Sequence, residues 1–165
     1  MSAIFNTDEI FDMAEEIERN AARLYRQAAK DVADKEIRKM FLNMAVMEDE
    51  HLHIFEQMRG ELAGSGEKQS VFDPDDEAVV YLRVMADSHG TEGRISQIKN
   101  LTGDETVEEI IDIAVNAEKN SIVFYLGLKD AAPSKIAKDK VEAIIKEEMG
   151  HLASLNQQLA ALKER

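Results

Sequence analysis

The 165-residue sequence predicts an all-α protein: a four-helix bundle made of two repeated helical hairpins joined by a long crossover with a short helix. Three observations predict it. Apolar residues recur at alternating steps of four and three along four stretches, the spacing of a helix with one buried face. Only two prolines and eight glycines interrupt the chain. Finally, Glu18, Tyr25, Glu48 and His51 recur as Glu118, Tyr125, Glu148 and His151, at a constant offset of 100 residues. The expected organisation is a single domain over residues 1–165, with hairpins at 6–62 and 104–163 and the crossover at 63–103.

The first helix is expected to start near Asn6, where Asn6 and Glu9 have the spacing of a capping box. Its inward line is Ile10, Ala14, Ile17, Ala21, Leu24 and Ala28, beside a heptad column of Phe11, Glu18, Tyr25 and Val32. After a turn at 31–34, the second helix carries the seam Ile37, Phe41, Met44, Glu48, His51, Phe55, Met58 and Leu62. Glu48 and His51 thus occupy positions that the pattern reserves for core side chains. An unpaired carboxylate buried there would cost several kcal/mol, roughly, so something must compensate it.

From residue 63 the periodicity stops. Asp73-Pro74 opens a short apolar helix through Met85, and His89-Gly90 and Gly93 interrupt it again. The third helix begins after Thr102, with Thr102/Glu105 and Thr106/Glu109 both available as capping boxes. Its inward line is Val107, Ile111, Ala114, Glu118, Ser121, Tyr125 and Leu128. Ala131-Ala132-Pro133-Ser134 turns the chain into the fourth helix, whose line is Val141, Ile144, Glu148, His151, Leu155, Gln158 and Leu162.

Glu18 and Glu48 both lie fifteen residues from position 33, and Glu118 and Glu148 fifteen from Pro133, so each pair stands at one level of its hairpin. At about 1.5 Å per residue, that level is roughly 22 Å from the turn. Two hairpins related by a two-fold axis bring all six acids and imidazoles together and make the third helix parallel to the second. The chain must then return along the whole bundle, which a crossover of about forty residues allows and a short loop would not.

Composition narrows the chemistry. The chain has no cysteine, which excludes disulfides, zinc-thiolate sites and iron–sulfur clusters. A net charge of −13 with no basic stretch argues against nucleic acid as a partner. No apolar run approaches the roughly 18 residues of a membrane span, and the first residues lack the pattern of a signal peptide. The expected location is the cytoplasm, with no membrane partner.

Four carboxylates and two imidazoles on inward faces form a ligand set for two divalent metals, whose four positive charges they balance. One Glu from each of two helices and Glu-x-x-His from each of the other two is the arrangement of di-iron and di-manganese bundles. The metal residues are then Glu18, Glu48, His51, Glu118, Glu148 and His151. Oxygen and imidazole donors without thiolate suit iron or manganese, with zinc a frequent substitute. Tyr25 and Tyr125, two turns beyond their Glu, are placed to donate hydrogen bonds to the carboxylates. Ser121, with Ala21 as its counterpart, leaves room on the site's wall. The Glu50/His53 pair has the same spacing but points some 200° around the helix from His51, so it belongs to the solvated face.

On "IERNAARLY", "MEDEH", "AEKNSIVFY" and "EEMGH" the sequence resembles the ferritin-like superfamily and, within it, the rubrerythrin-like proteins. The resemblance covers all four bundle helices. It implies a di-iron carboxylate site that reacts with hydrogen peroxide or O2, an oxidoreductase protecting against oxidative stress. Full rubrerythrins pass electrons through a cysteine-ligated rubredoxin-like domain. Without cysteine, this chain would draw them from an external donor, rubredoxin-like or another reductase. Those proteins commonly carry a further Glu where Ser121 stands. Bacterioferritins share the six-ligand pattern, so a ferroxidase or iron-storing role without peroxidase turnover is the alternative. The duplicated hairpin, and a fourth helix reaching almost to Arg165, speak against a storage cage. A homodimer is expected.

Overall fold

The computed structural model describes residues 7–64, 80–81 and 100–164. Four helices make up the bundle: α1 (Thr7–Asp31), α2 (Lys35–Gly64), α3 (Val107–Ala131) and α4 (Lys135–Lys163). The Asn6 cap, the short helix from Asp73 to Met85 and the His89-Gly90 break lie outside the described residues. Within that stretch only Val80 and Tyr81 are described, in helical conformation. The Tyr81 hydroxyl donates to the Val123 carbonyl oxygen at 2.6 Å, which fixes this point of the crossover on α3.

The boundaries at the α1–α2 turn and at the starts of α3 and α4 have chemical causes. At the first turn, Asp34 Oδ1 accepts from the backbone N–H groups of Glu36 and Ile37 at 2.9 and 3.2 Å, capping α2. The Arg38 guanidinium reaches back to the Val32 carbonyl at 2.9 Å and satisfies an acceptor left over at the end of α1. Of the two capping boxes available to α3, Thr106/Glu109 is the one that starts the helix, with both reciprocal bonds made. Glu105 is used differently. Its carboxylate accepts from the N–H groups of Thr102 and Gly103 and ties the incoming loop, where Gly103 takes a φ of 92°. Ser134 caps α4 through Ala137 N at 3.1 Å.

The helix directions follow from cross-bundle partners. Tyr25 of α1 meets Glu118 of α3 while Tyr125 meets Glu18, so α1 and α3 are antiparallel. His51 of α2 faces Glu148 of α4 while His151 faces Glu48, so these two are antiparallel as well. Both hairpins being antiparallel, α3 runs parallel to α2, the direction that a two-fold pairing of hairpins demands. The core forms two apolar clusters. One gathers Ile10, Phe11, Phe55, Met58, Phe124 and Val141, and the other Val32, Ile37, Phe41, Met44, Ile110 and Leu155. The α1–α2 turn and the start of α3 lie at the second cluster, the end of α2 and the α3–α4 turn at the first. The connection from α2 to α3 therefore spans the length of the bundle. Among the described residues, no helix is long and apolar enough to cross a membrane.

The two loop threonines before α3 differ in what they hold. Thr106→Ala removes the hydroxyl that accepts from Glu109 N and should cost about 1 kcal/mol. Thr102→Ala loses a hydroxyl that donates to the exposed Glu105 carboxylate and accepts from Asp104 N at a longer 3.3 Å, both within the loop and outside the helix, and should cost less. Urea denaturation of the two variants against the parent checks the order.

Candidate metal centre

Glu18, Glu48, His51, Glu118, Glu148 and His151 are all buried, at mid-height between the two apolar clusters. They fall into two overlapping groups. Glu18, Glu48, His51 and Glu148 each bring one ligand atom within 4.8 Å of the others, and so do Glu48, Glu118, Glu148 and His151. Glu48 and Glu148 belong to both groups. His51 Nδ1 lies 3.3 Å from Glu48, 3.2 Å from Glu148 and 3.6 Å from Glu18. His151 Nδ1 lies 3.0 Å from Glu148 and 3.2 Å from both Glu48 and Glu118. The rings stand 6.2 Å apart, tilted by 30°. Each half thus offers one imidazole and one acid of its own and shares two acids with the other.

The rubrerythrin family model matches residues 9–159, which takes in all six of these side chains. The chain belongs to the rubrerythrin family. Among solved structures it is similar to one from Thermotoga maritima described as a ferritin-like diiron-carboxylate protein. The two are 25% identical, with a TM-score of 0.71 over 97% of this chain and 98% of that one. No curated protein matches.

Tyr25 and Tyr125 cross between the hairpins. Tyr25 donates to Glu118 Oε1 and Tyr125 to Glu18 Oε1, both fully buried. Tyr25 stacks on Phe41 at 5.9 Å and Tyr125 packs on Phe55 at 5.2 Å, which holds each phenol in place. Burial first, then the facing carboxylates, raises both phenols well above their usual range, so they act as donors. Ser121 is buried on α3, and its hydroxyl donates to the Ala117 carbonyl at 3.1 Å. Glu50 and His53 are exposed, His53 engaging Gln57 at 3.1 Å. Glu15 is a further buried acid, off both inward columns of α1. It lies 3.2 Å from Arg59, a partner from α2 that periodicity cannot reveal.

Two more contacts were not legible in the motif. His51 Nε2 donates to Glu147 Oε2 at 2.8 Å, whereas His151 Nε2 faces the Met47 sulfur at 3.4 Å. Positions 47 and 147 are counterparts at the repeat offset, so aligning the halves around Glu48 and Glu148 would have exposed the difference.

The donor set fits two divalent cations. Glu18 Oε2, Glu48 Oε1 and Glu148 Oε1 are buried without a hydrogen-bond partner, lone pairs that the fold leaves free inside the site. Desolvation and then the neighbouring charge of Glu48 push Glu18 well above the carboxylate range, and desolvation with Glu148 does the same to Glu118. Desolvation also opposes the charge on Glu148, but hydrogen bonds from His151 and His51 outweigh it and hold that carboxyl at about 2. Burial would depress both imidazoles, yet the surrounding acids override it. His51 rises above its usual range, and His151 is pushed up to about 12.

A raised native pKa means that the folded chain keeps a proton the unfolded chain gives up. Its stabilising contribution is complete below the unfolded value and fades as pH climbs toward the folded one. That window opens at 6.5 for the two histidines and at 4.5 for Glu18 and Glu118. Glu148 contributes in the opposite sense, above 4.5, and loses its contribution only as pH falls toward about 2. Protein stripped with a chelator should therefore melt lower at about pH 8 than at about pH 6. Added divalent metal should reverse the trend, because its ligands must be deprotonated. A melting temperature of stripped protein that rises over this interval would contradict the convergence of these groups. Tyr25→Phe should cost stripped protein about 1–3 kcal/mol, since it leaves the buried Glu118 without its phenol donor. Denaturant titration measures it.

Proposed function

We propose that this chain is a di-iron redox protein that reduces hydrogen peroxide, or O2, with electrons from an external donor. One observation carries the reading: two buried four-residue ligand groups share Glu48 and Glu148, so two cations held there would sit side by side on common carboxylates. Glu18 with His51 would complete one position, Glu118 with His151 the other. The donor set suits iron or manganese, with zinc as a substitute. Iron is preferred on membership of the rubrerythrin family and on the likeness to a structure described as a diiron-carboxylate protein. When bound, the pair supplies the two electrons that, with two protons, convert peroxide into two waters.

The chain's own residues do the rest. Four carboxylates neutralise two divalent cations, so the loaded site carries no net charge into the apolar core. Tyr25 and Tyr125 hold Glu118 and Glu18 by one oxygen each. Glu18 turns its other oxygen to His51, while in Glu118 the oxygen held by Tyr25 also faces His151. Phe11, Phe55 and Phe124 on one side, and Phe41, Met44 and Ile111 on the other, keep water out. Ser121 puts a small side chain on α3 one turn beyond Glu118, where an oxidant would meet little bulk. The same reading takes the protein as a cytoplasmic homodimer served by a rubredoxin-like or other reductase.

A ferroxidase or iron-binding role is the second reading, favoured by the serine at position 121 and by the lack of cysteine for a built-in electron relay. Anaerobic loading with ferrous iron followed by stopped-flow mixing separates the two. Fast stoichiometric consumption of peroxide supports the peroxidase reading. Preference for O2 with continued iron uptake supports the ferroxidase reading, and inertness toward both oxidants overturns redox function. Elemental analysis should find one metal lost in His51→Ala and one in His151→Ala, with His53→Ala unchanged. Equal loss in His53→Ala and His51→Ala would overturn the ligand assignment.

A further inference from the structure

The two halves of the site match in their six ligand side chains and in both tyrosines, and differ behind the imidazoles. Both histidines turn Nδ1 to the shared carboxylates and Nε2 outward, between α2 and α4. Behind His51 stands the Glu147 carboxylate at 2.8 Å. Behind His151, at the equivalent position 47, stands a thioether at 3.4 Å. A carboxylate accepting from the outer N–H fixes the tautomer that leaves Nδ1 free, locks the ring's orientation and raises the basicity of the inner nitrogen. A methionine sulfur is a weak acceptor and does little of this.

We propose that Glu147 is a positioning residue that makes the two metal positions unequal, so that the position served by His51 binds more tightly and fills first. This rests on the di-metal reading of the site. Outer-sphere partners of this kind are worth about 10- to 100-fold in metal affinity, so the two steps should be separable by about 10-fold or more. The inequality is built by the sequence, since the inner ligand sets are the same. Glu147 is well placed for a clean test, because its side chain is 48% exposed and its replacement leaves the core intact.

The experiment is anaerobic titration of chelator-stripped protein with cobalt(II), followed by calorimetry and by the visible absorption of the bound ion. The parent should show two steps, with His51→Ala deleting the tighter and His151→Ala the weaker. Glu147→Met should weaken the first step by about 10-fold or more and merge it with the second. Glu147→Gln, which keeps an acceptor oxygen without the charge, should fall between. Met47→Glu should tighten the second step toward the first. Repulsion between adjacent cations would also split the binding, but that splitting would survive Glu147→Met. Two steps of unchanged ratio in that variant, or equal affinities in the parent, would overturn the proposal while leaving two metals bound. A parent that takes up no cobalt would overturn the di-metal reading and the proposal with it.

Discussion

Everything in this bundle answers to one constraint: six ionisable side chains are held together at the middle of an apolar core. Carboxylates taken out of water cost several kcal/mol each, roughly, unless charge and hydrogen bonds replace the solvent. The fold replaces it in layers. Two tyrosines donate to Glu18 and Glu118, and the imidazoles stand between the acids. Three carboxylate oxygens still lack a hydrogen bond. Stability and cation affinity are therefore the same problem seen from two sides, since whatever fills those lone pairs also repays the desolvation.

The site divides the core as well as crowning it. Phe11, Phe55 and Tyr125 belong to one apolar cluster, and Tyr25, Phe41 and Ile111 to the other. Each tyrosine is rooted in the cluster on its own side and reaches across the polar layer to an acid of the opposite hairpin. The aromatic packing beneath the phenols thus sets the carboxylate geometry above them, and a change in either cluster would be felt at the acids before it reached the surface.

Much of this could be read in the chain itself. The helix seams were legible because Ile10 to Ala28 and Ile37 to Met58 keep the four-and-three rhythm, and all of these positions turned out buried. Glu48 and His51 stood out by breaking that rhythm, and their recurrence at 148 and 151 marked them as one set. The direction of α3 followed from the repeat together with the length of the crossover. What the sequence withheld was pairing between helices that are distant in the chain. Heptad spacing puts Tyr25 on the face of Glu18, yet its hydroxyl belongs to Glu118, because α1 packs antiparallel on α3. The choice between Thr102 and Thr106 as cap depended on where the loop from the crossover delivers the chain. The repeat offset shows that positions 47 and 147 differ, but that Glu147 and Met47 stand behind the imidazoles depends on how α2 packs on α4.

The crossed tyrosines have a consequence for how such a protein is assembled. A single α1–α2 hairpin would carry a phenol with no acid to receive it and an acid with no phenol to hold it. Two identical hairpins would complete each other, each supplying what its partner lacks. The chemistry of the centre thus needs two hairpins and is indifferent to whether a peptide joins them. Joining them fixes the stoichiometry at one to one and frees the two copies to diverge. The glutamate and methionine behind the imidazoles are a difference that a symmetric pair of identical chains could not have kept.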